Sequence, residues 1–199
     1  MPGRPKEFDR SDALALATEC FWANGYEASG VTDLLDCMGI SRQSAYDTFG
    51  DKRKLFEAAL EAYSERVAAE MRRVLTDERQ TPLGRVRGFL QLVGRRTAGG
   101  DGRGCLITNT IVELAPHDAR IRSAVSQRLR KLEDALAKNL EAAEAAGELP
   151  AGVSPRPAAK MVVTLMQGAL VLSKTELKSG LAEAVALAEK LVCGGEKRG

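Results

Sequence analysis

Apolar positions along this chain recur at spacings of three and four and show no sustained alternation at two. That periodicity belongs to helices with one buried stripe, not to half-buried strands. Leu14, Ala17 and Phe21 form the first stripe, with Ser11 placed to cap it and Asn24-Gly25 placed to end it. A short helix follows over Val31 to Met38, and Ser41 can cap a third from Arg42 to Phe49. Gly50 breaks that helix, and Asp51 caps a long one from Lys52 to about Leu75. Beyond Thr76 the periodic segments lengthen. Pro82, at a first-turn position, opens a helix to about Thr97. Others are predicted over Cys105 to Leu114, Asp118 to Ala146, Ala158 to Glu176 and Leu181 to Val192. The expectation is an all-α protein of about nine helices. Three short helices in residues 1–50 form one domain, and residues 51–199 form a helical bundle.

Residues 31–49, VTDLLDCMGISRQSAYDTF, carry the densest information. Val31, Leu34, Leu35 and Met38 make an apolar face, Gly39 allows a sharp turn, and Ile40 fills the angle between two helices. Ala45, Tyr46 and Phe49 give the next helix its inward side. A helix, a glycine-containing turn and a second helix make up the helix-turn-helix, whose second helix enters the DNA major groove. Arg42, Gln43 and Ser44 occupy the first turn of that second helix, where Arg can read guanine and Gln adenine. Arg4, Lys6 and Arg10 precede the segment and Lys52, Arg53 and Lys54 follow it, in places suited to phosphate contacts.

Charge moderates this picture. Residues 1–56 hold seven Lys and Arg against nine Asp and Glu, so DNA binding has to depend on where the charges sit. Asp47, within the second helix, would repel a phosphate unless it points away. The whole chain has 199 residues, a formal net charge of +2 and 44% apolar residues, which suits a globular protein and excludes a polybasic tail. Cys20, Cys37, Cys105 and Cys193 are too scattered for a disulfide scaffold or zinc ribbon. A single histidine, His117, expected in an exposed turn, leaves little for histidine-based catalysis or metal binding, so no cofactor or metal is expected. Lys160 and Lys174 close the longest apolar stretch before membrane-spanning length. With no apolar segment behind its first charges, the chain is expected to be cytosolic.

The run from Ala13 to Phe56 resembles the DNA-binding domain of the TetR family of bacterial transcriptional repressors. Gly25-Tyr26, Gly39-Ile40-Ser41, Tyr46, Phe49, Lys52 and Leu55-Phe56 carry the resemblance. It implies a homodimer whose variable C-terminal domain binds a small ligand that releases the protein from operator DNA. By position it assigns Gln43 and Ser44 to bases and Tyr46 and Lys52 to phosphates. Arg42, Thr48, Arg4 and Lys6 complete the expected DNA-binding set. The chain departs from the family pattern at Gly30, usually a hydroxyl residue, at Leu35, usually a small one, and at Asp47, usually His or Tyr.

The C-terminal segment offers a candidate sensor and a candidate pocket. Residues 98–104 are glycine-rich but lack the Gly-Lys-Ser/Thr of a phosphate loop, so they are expected to be a flexible connection. Cys105 opens a helix two residues from Arg103, an environment that favours a thiolate. Some TetR-type regulators with a similar Gly-Cys-Leu segment respond through thiol chemistry, so Gly104-Cys105-Leu106 makes Cys105 a candidate for sensing oxidants or electrophiles. A small packed residue is the alternative. Cys20 and Cys37 are expected in the core. A ligand pocket is expected around Phe89, Val93, Cys105, Thr108, Asn109, Val112, Met161, Thr164, Leu165 and Gln167. Ala158, Val162, Leu165, Ala169 and Leu172, with Leu181, Val185, Ala188 and Leu191/Val192, form stripes that either pair with a second subunit or pack internally. Two other readings stand beside the repressor: a helical adaptor that binds protein and an α-helical enzyme. The enzyme is the weaker, because the sequence holds no clustered His, Cys and carboxylate set.

Overall fold

The computed structural model of the chain describes residues 8–99 and 102–194. Their regular structure is entirely helical: α1 Arg10–Asn24, α2 Val31–Met38, α3 Arg42–Phe49, α4 Lys52–Leu75, α5 Pro82–Ala98, α6 Leu106–Glu113, α7 Ala119–Ala145, α8 Pro155–Leu172 and α9 Leu181–Cys193. A single 3-10 turn, Glu176–Lys178, precedes α9. The all-α expectation holds for these residues. Two compact units divide the chain, one ending at Val67 and the other beginning at Ala68. The division falls inside α4, well past residue 50, because Leu55, Phe56, Ala59, Leu60 and Tyr63 of α4 are buried with the preceding helices.

Three short helices cannot close a core, and an aromatic cluster supplies what they lack. Phe21 of α1 is fully buried, and its ring meets Phe56 of α4 edge-on with centroids 5.1 Å apart. Tyr26 stands 4.8 Å from Phe56, and Trp22 meets Tyr63 at 5.1 Å. Such contacts add about 0.5–1.5 kcal/mol per pair beyond the area they bury. Leu34 and Met38 of α2 and Ala45 and Phe49 of α3 are buried alongside. The cap of α1 differs from the expectation. Asp9, not Ser11, receives the N–H groups of Ser11 and Asp12, at 2.7 and 3.1 Å. A carboxylate also suits the positive end of the helix, and Ser11 becomes a residue of its first turn.

In the second unit α5 packs on α9 and α7 on α8. Val86, Phe89, Leu136, Leu140, Val162 and Val192 are almost completely buried there. Arg87 of α5 donates to the carbonyls of Cys193 and Gly194, each at 3.3 Å, and so satisfies the end of α9. Helix α8 starts at Pro155, earlier than expected, since first-turn prolines give up N–H groups that have no helical partner. It also stops at Leu172, short of Glu176. Of the stripes that could have faced a second subunit, Ala158, Val162, Ala169, Leu181, Val185, Ala188 and Val192 are buried within the chain. Internal packing of α5 on α9 and α7 on α8 has taken them. His117 lies exposed in a turn, as expected, its N–H bonded to the Leu114 carbonyl at 3.0 Å.

The turn between α2 and α3 depends on one glycine. Gly39 has φ +65° and donates to the Leu35 carbonyl at 2.9 Å, and a Cβ added there would meet nothing within 4 Å. Substitution therefore costs backbone strain without collision. Gly39→Ala is expected to lower unfolding free energy by about 1 kcal/mol, and Gly39→Asn by less. Urea titration of the purified variants measures this. Parent-like stability of the alanine variant would show that the turn does not need the left-handed conformation.

Candidate nucleic-acid interface

Helix α3 is held by one side and displayed by the other. Ser41 caps it, its Oγ accepting the Ser44 N–H at 3.2 Å and donating to the Ser44 hydroxyl at 3.0 Å. Ala45 and Phe49 anchor the helix in the core. Arg42, Gln43, Tyr46 and Asp47 are exposed, Tyr46 against the expectation that it would face inward, while Ser44 and Thr48 are half-buried. The arrangement projects an amide, a guanidinium and a phenol from one short helix, groups suited to base edges and phosphates.

Asp47 has a role that its charge alone did not indicate. Its carboxylate accepts a hydrogen bond from Gln43 Nε2 at 2.9 Å. This fixes the plane of the Gln43 amide, while its second N–H and its oxygen can still pair with adenine. The four-residue spacing was the available sequence signal for this pair. Gly30 finds a reason in the same way. Asp33 folds back to accept the Gly30 N–H at 3.1 Å, and a Cβ on Gly30 would lie 2.8 Å from that carboxylate. Asp33 thus satisfies the N–H of the cap residue itself, while no side chain at position 30 caps the first turn of the helix.

The flanking cations are held in place. Lys52 lies with its Nζ 4.5 Å from the Tyr26 ring centre and 3.4 Å from the Glu27 carbonyl. Arg10 sits over the Phe49 ring at 5.4 Å, and Arg53 pairs with Glu57 at 2.8 Å. Neither the Tyr26 platform nor the Arg10 stacking was legible in the sequence, since both join residues far apart in the chain. Arg4 and Lys6 lie outside the described residues, as do Gly100 and Asp101 of the glycine-rich loop.

The residues expected to line a ligand pocket do not all share one place. Phe89, Val93, Cys105 and Thr108 are buried. Leu165, Gln167 and Asn109 are half-buried. Thr108 Oγ1 donates to Gln167 Oε1 at 2.8 Å, joining α6 to α8. Asn109 instead serves the loop before α6: its Nδ2 donates to the Arg103 carbonyl at 3.0 Å, and Lys174 Nζ donates to its Oδ1 at 3.1 Å. Lys174 was not among the expected site residues, and no local pattern links it to Asn109. Val112, Met161 and Thr164 lie on the surface, with Val112 67% exposed. They occupy the sides of α6 and α8 opposite the buried stripes, so within one chain they do not line an interior.

Cys105 is buried as the cap residue of α6, its carbonyl accepting the Asn109 N–H at 2.8 Å. Gly104 before it has φ +68°, and a Cβ there would come within 3.0 Å of the Leu170 carbonyl and the Lys174 side chain. Cys37, expected in the core, is exposed. Leu34 and Met38 occupy the inward face of α2, and Cys37 is turned away from it.

Family comparisons agree with this geometry. The family model described as bacterial regulatory proteins, tetR family, matches residues 13–59. The model of the tetracyclin repressor-like C-terminal domain matches residues 82–188. The chain belongs to the TetR family. Among its relatives is the uncharacterized HTH-type transcriptional regulator YezE of Bacillus subtilis (strain 168), 36% identical over 74% of this chain and 76% of its own length. The HTH-type transcriptional repressor ComR of Escherichia coli (strain K12) is 30% identical over 83% of this chain and 80% of its own. Among solved structures, a cysteine mutant of the TetR family regulator CifR complexed with 26bp double-strand operator DNA superposes with a TM-score of 0.82. It is 27% identical and covers 96% of this chain and 100% of its own. The segment of this TetR-family chain that displays Gln43 and Asp47 thus falls within the matched DNA-binding model.

Because Asp47 brings negative charge to the displayed face, removing that charge should strengthen sequence-independent binding. Asp47→Asn, which keeps an acceptor for Gln43, is expected to raise affinity for an unrelated duplex roughly fivefold at low salt. Fluorescence anisotropy with a labelled duplex reads this directly, and an unchanged affinity would place Asp47 away from the phosphates.

Proposed function

We propose that this chain is a homodimeric transcriptional repressor that holds a palindromic operator until an inducer releases it, and that it has no catalytic activity. The observation that carries the reading is the orientation of α3. Ala45 and Phe49 are fixed in the core while Arg42, Gln43 and Tyr46 project outward, with Asp47 bracing Gln43. Gln43 and Ser44 approach bases, and Arg42 joins them. Tyr46, Thr48 and the ring-supported ammonium of Lys52 meet phosphates. The operator-bound CifR neighbour and the repressor ComR support this reading. A bacterial regulator of this kind works in the cytoplasm, and among the described residues no helix is long and apolar enough to cross a membrane.

One α3 reads only a few base pairs, whereas two held about one helical turn apart, roughly 34–36 Å, read a palindrome. Met161, Val171 and Leu172 of α8 and Leu187 and Leu191 of α9 are exposed apolar residues, and they supply a surface for the second subunit. Gly168, where an added Cβ would meet nothing within 4 Å, gives a partner helix room on the same side of α8. This is a different face from the stripes buried inside the chain.

On this reading the inducer acts in the second unit, where Thr108 of α6 is hydrogen-bonded to Gln167 of α8 and Phe89 and Val93 of α5 are buried. Thr108 and Gln167 are its polar contact points. For an electrophilic or oxidising inducer, Cys105 is the reactive thiol. An adduct there has little room, since Gly104 already lies against Leu170 and Lys174. The modification would therefore shift the start of α6 against α8.

Two measurements test this. Affinity for the DNA upstream of the protein's own gene should fall steeply with salt, roughly as the power of the phosphates neutralised, and Gln43→Ala should cost about tenfold or more on that DNA and little on random sequence. Equal losses on both would remove the base-reading role of Gln43. Titration with an electrophile such as N-ethylmaleimide should release the parent protein, while Cys105→Ser remains bound. Equal release of both would assign the response elsewhere.

A further inference from the structure

Cys20 and Cys37 lie in different helices of the first unit, and their side chains meet. Helices α1 and α2 pack against each other. After burial, Cys37 is the neighbour that acts most strongly on the Cys20 thiol, and Asn24 Nδ2 donates to Cys20 Sγ at 3.7 Å. Both cysteines are free, Cys20 buried and Cys37 exposed. One thiol is thus open to a solvent-borne reagent while its neighbour waits beneath it. Nothing in the DNA-reading arrangement uses either.

We propose that Cys20 and Cys37 are a peroxide-oxidisable pair, closing to a reversible disulfide that ties α2 to α1 and weakens operator binding. In the first step the exposed Cys37 sulfur attacks one oxygen of a hydroperoxide. The O–O bond breaks, Cys37 becomes a sulfenic acid, and the peroxide is reduced, its other oxygen leaving as water or alcohol. In the second step the Cys20 sulfur attacks the Cys37 sulfur. An S–S bond forms, the S–O bond breaks, and the departing oxygen leaves as water with the Cys20 proton. Two thiols and one hydrogen peroxide give one disulfide and two waters, and an external dithiol reverses the change. Burial first, and then Cys37, push the Cys20 thiol up to about 11. Cys20 therefore keeps its proton at neutral pH and gives it to the departing oxygen as its sulfur attacks, which makes closure of the disulfide the slow step.

The effect on DNA follows from position. Cys37 is the penultimate residue of α2, followed by Met38, the Gly39 turn and the Ser41 cap of α3. Closing the two sulfurs to bonding distance draws the end of α2 toward α1. The turn that sets α3 moves with it, and the aim of Gln43 changes. The DNA effect rests on α3 reading the operator; the disulfide itself does not.

The test uses full-length protein, reduced or treated with hydrogen peroxide, in a Cys105→Ser background so that the inducer thiol takes no part. Trypsin cuts after Arg10 and Arg42 and nowhere between, so one peptide, residues 11–42, carries both cysteines. Non-reducing mass spectrometry should show it lighter by two hydrogen atoms after peroxide and restored by dithiothreitol. Affinity for the upstream DNA should drop at least tenfold and recover in parallel, while a further Cys37→Ser change keeps its affinity through the treatment. Two separately alkylatable thiols after peroxide would overturn the pair. A formed disulfide with affinity within twofold of the reduced protein would overturn the switch, as would equal loss in the Cys37→Ser protein. Failure of the reduced protein to bind upstream DNA would count against the repressor reading and so against the switch, while the peptide mass still decides the pair.

Discussion

The first unit depends on the closure of a core that its three short helices cannot complete. Phe21 lies fully buried between the rings of Phe56 and Tyr26, which makes the start of α4 part of that core. Everything displayed by α3 follows from this. With Ala45 and Phe49 committed inward, Arg42, Gln43, Tyr46 and Asp47 of this eight-residue helix point out, and Ser44 and Thr48 lie half-buried at its sides. Lys52 is drawn into the same arrangement by the Tyr26 ring, so the aromatic cluster also positions the cation proposed to meet phosphate. Cation–π contact of this kind contributes about 0.5–1 kcal/mol at an exposed site. That is modest, but it limits where a flexible side chain spends its time.

Much of this was legible in the sequence where the controlling interactions are local. Helices α2, α3 and α4 are bounded by Gly39, Ser41, Gly50 and Asp51, residues whose backbone preferences or capping groups act within a few positions. Their limits could therefore be read directly. Asp9 rather than Ser11 caps α1 because the helix already begins at Arg10, which leaves Ser11 inside the first turn with its own N–H donated to the Asp9 carboxylate. The start of α8 was placed late because prolines at 155 and 157 look like loop residues until a helix begins beneath them. Distant pairs were not legible at all. Lys174 on Asn109, Arg87 on the end of α9 and Lys52 on Tyr26 join residues that no periodicity connects.

The candidate sites divide along the same line. Gln43 and Asp47 are neighbours on one helix and could be paired by spacing. The pocket residues required a choice of helix face, and the stripes of α6 and α8 were ambiguous, since α8 is apolar on more than one side. Val162 and Ala169 went inward and Met161 and Val171 outward. That split leaves α8 with one side packing the second unit and another apolar side exposed, the side proposed to meet a second subunit. Cys37 illustrates the risk of reading a cysteine as apolar filling. A residue one position from a buried methionine is turned by a quarter of a helical circuit or more, enough to bring its thiol to the surface.

The central claim is that two copies of α3 are presented together at the pitch of a duplex. The most direct measurement is a hydroxyl-radical footprint of the DNA upstream of the protein's own gene, made with reduced protein at saturating concentration. The account predicts two protected patches, related by a dyad and spaced by about one turn of the double helix. Uniform cleavage throughout that region, or a single isolated patch, would contradict it.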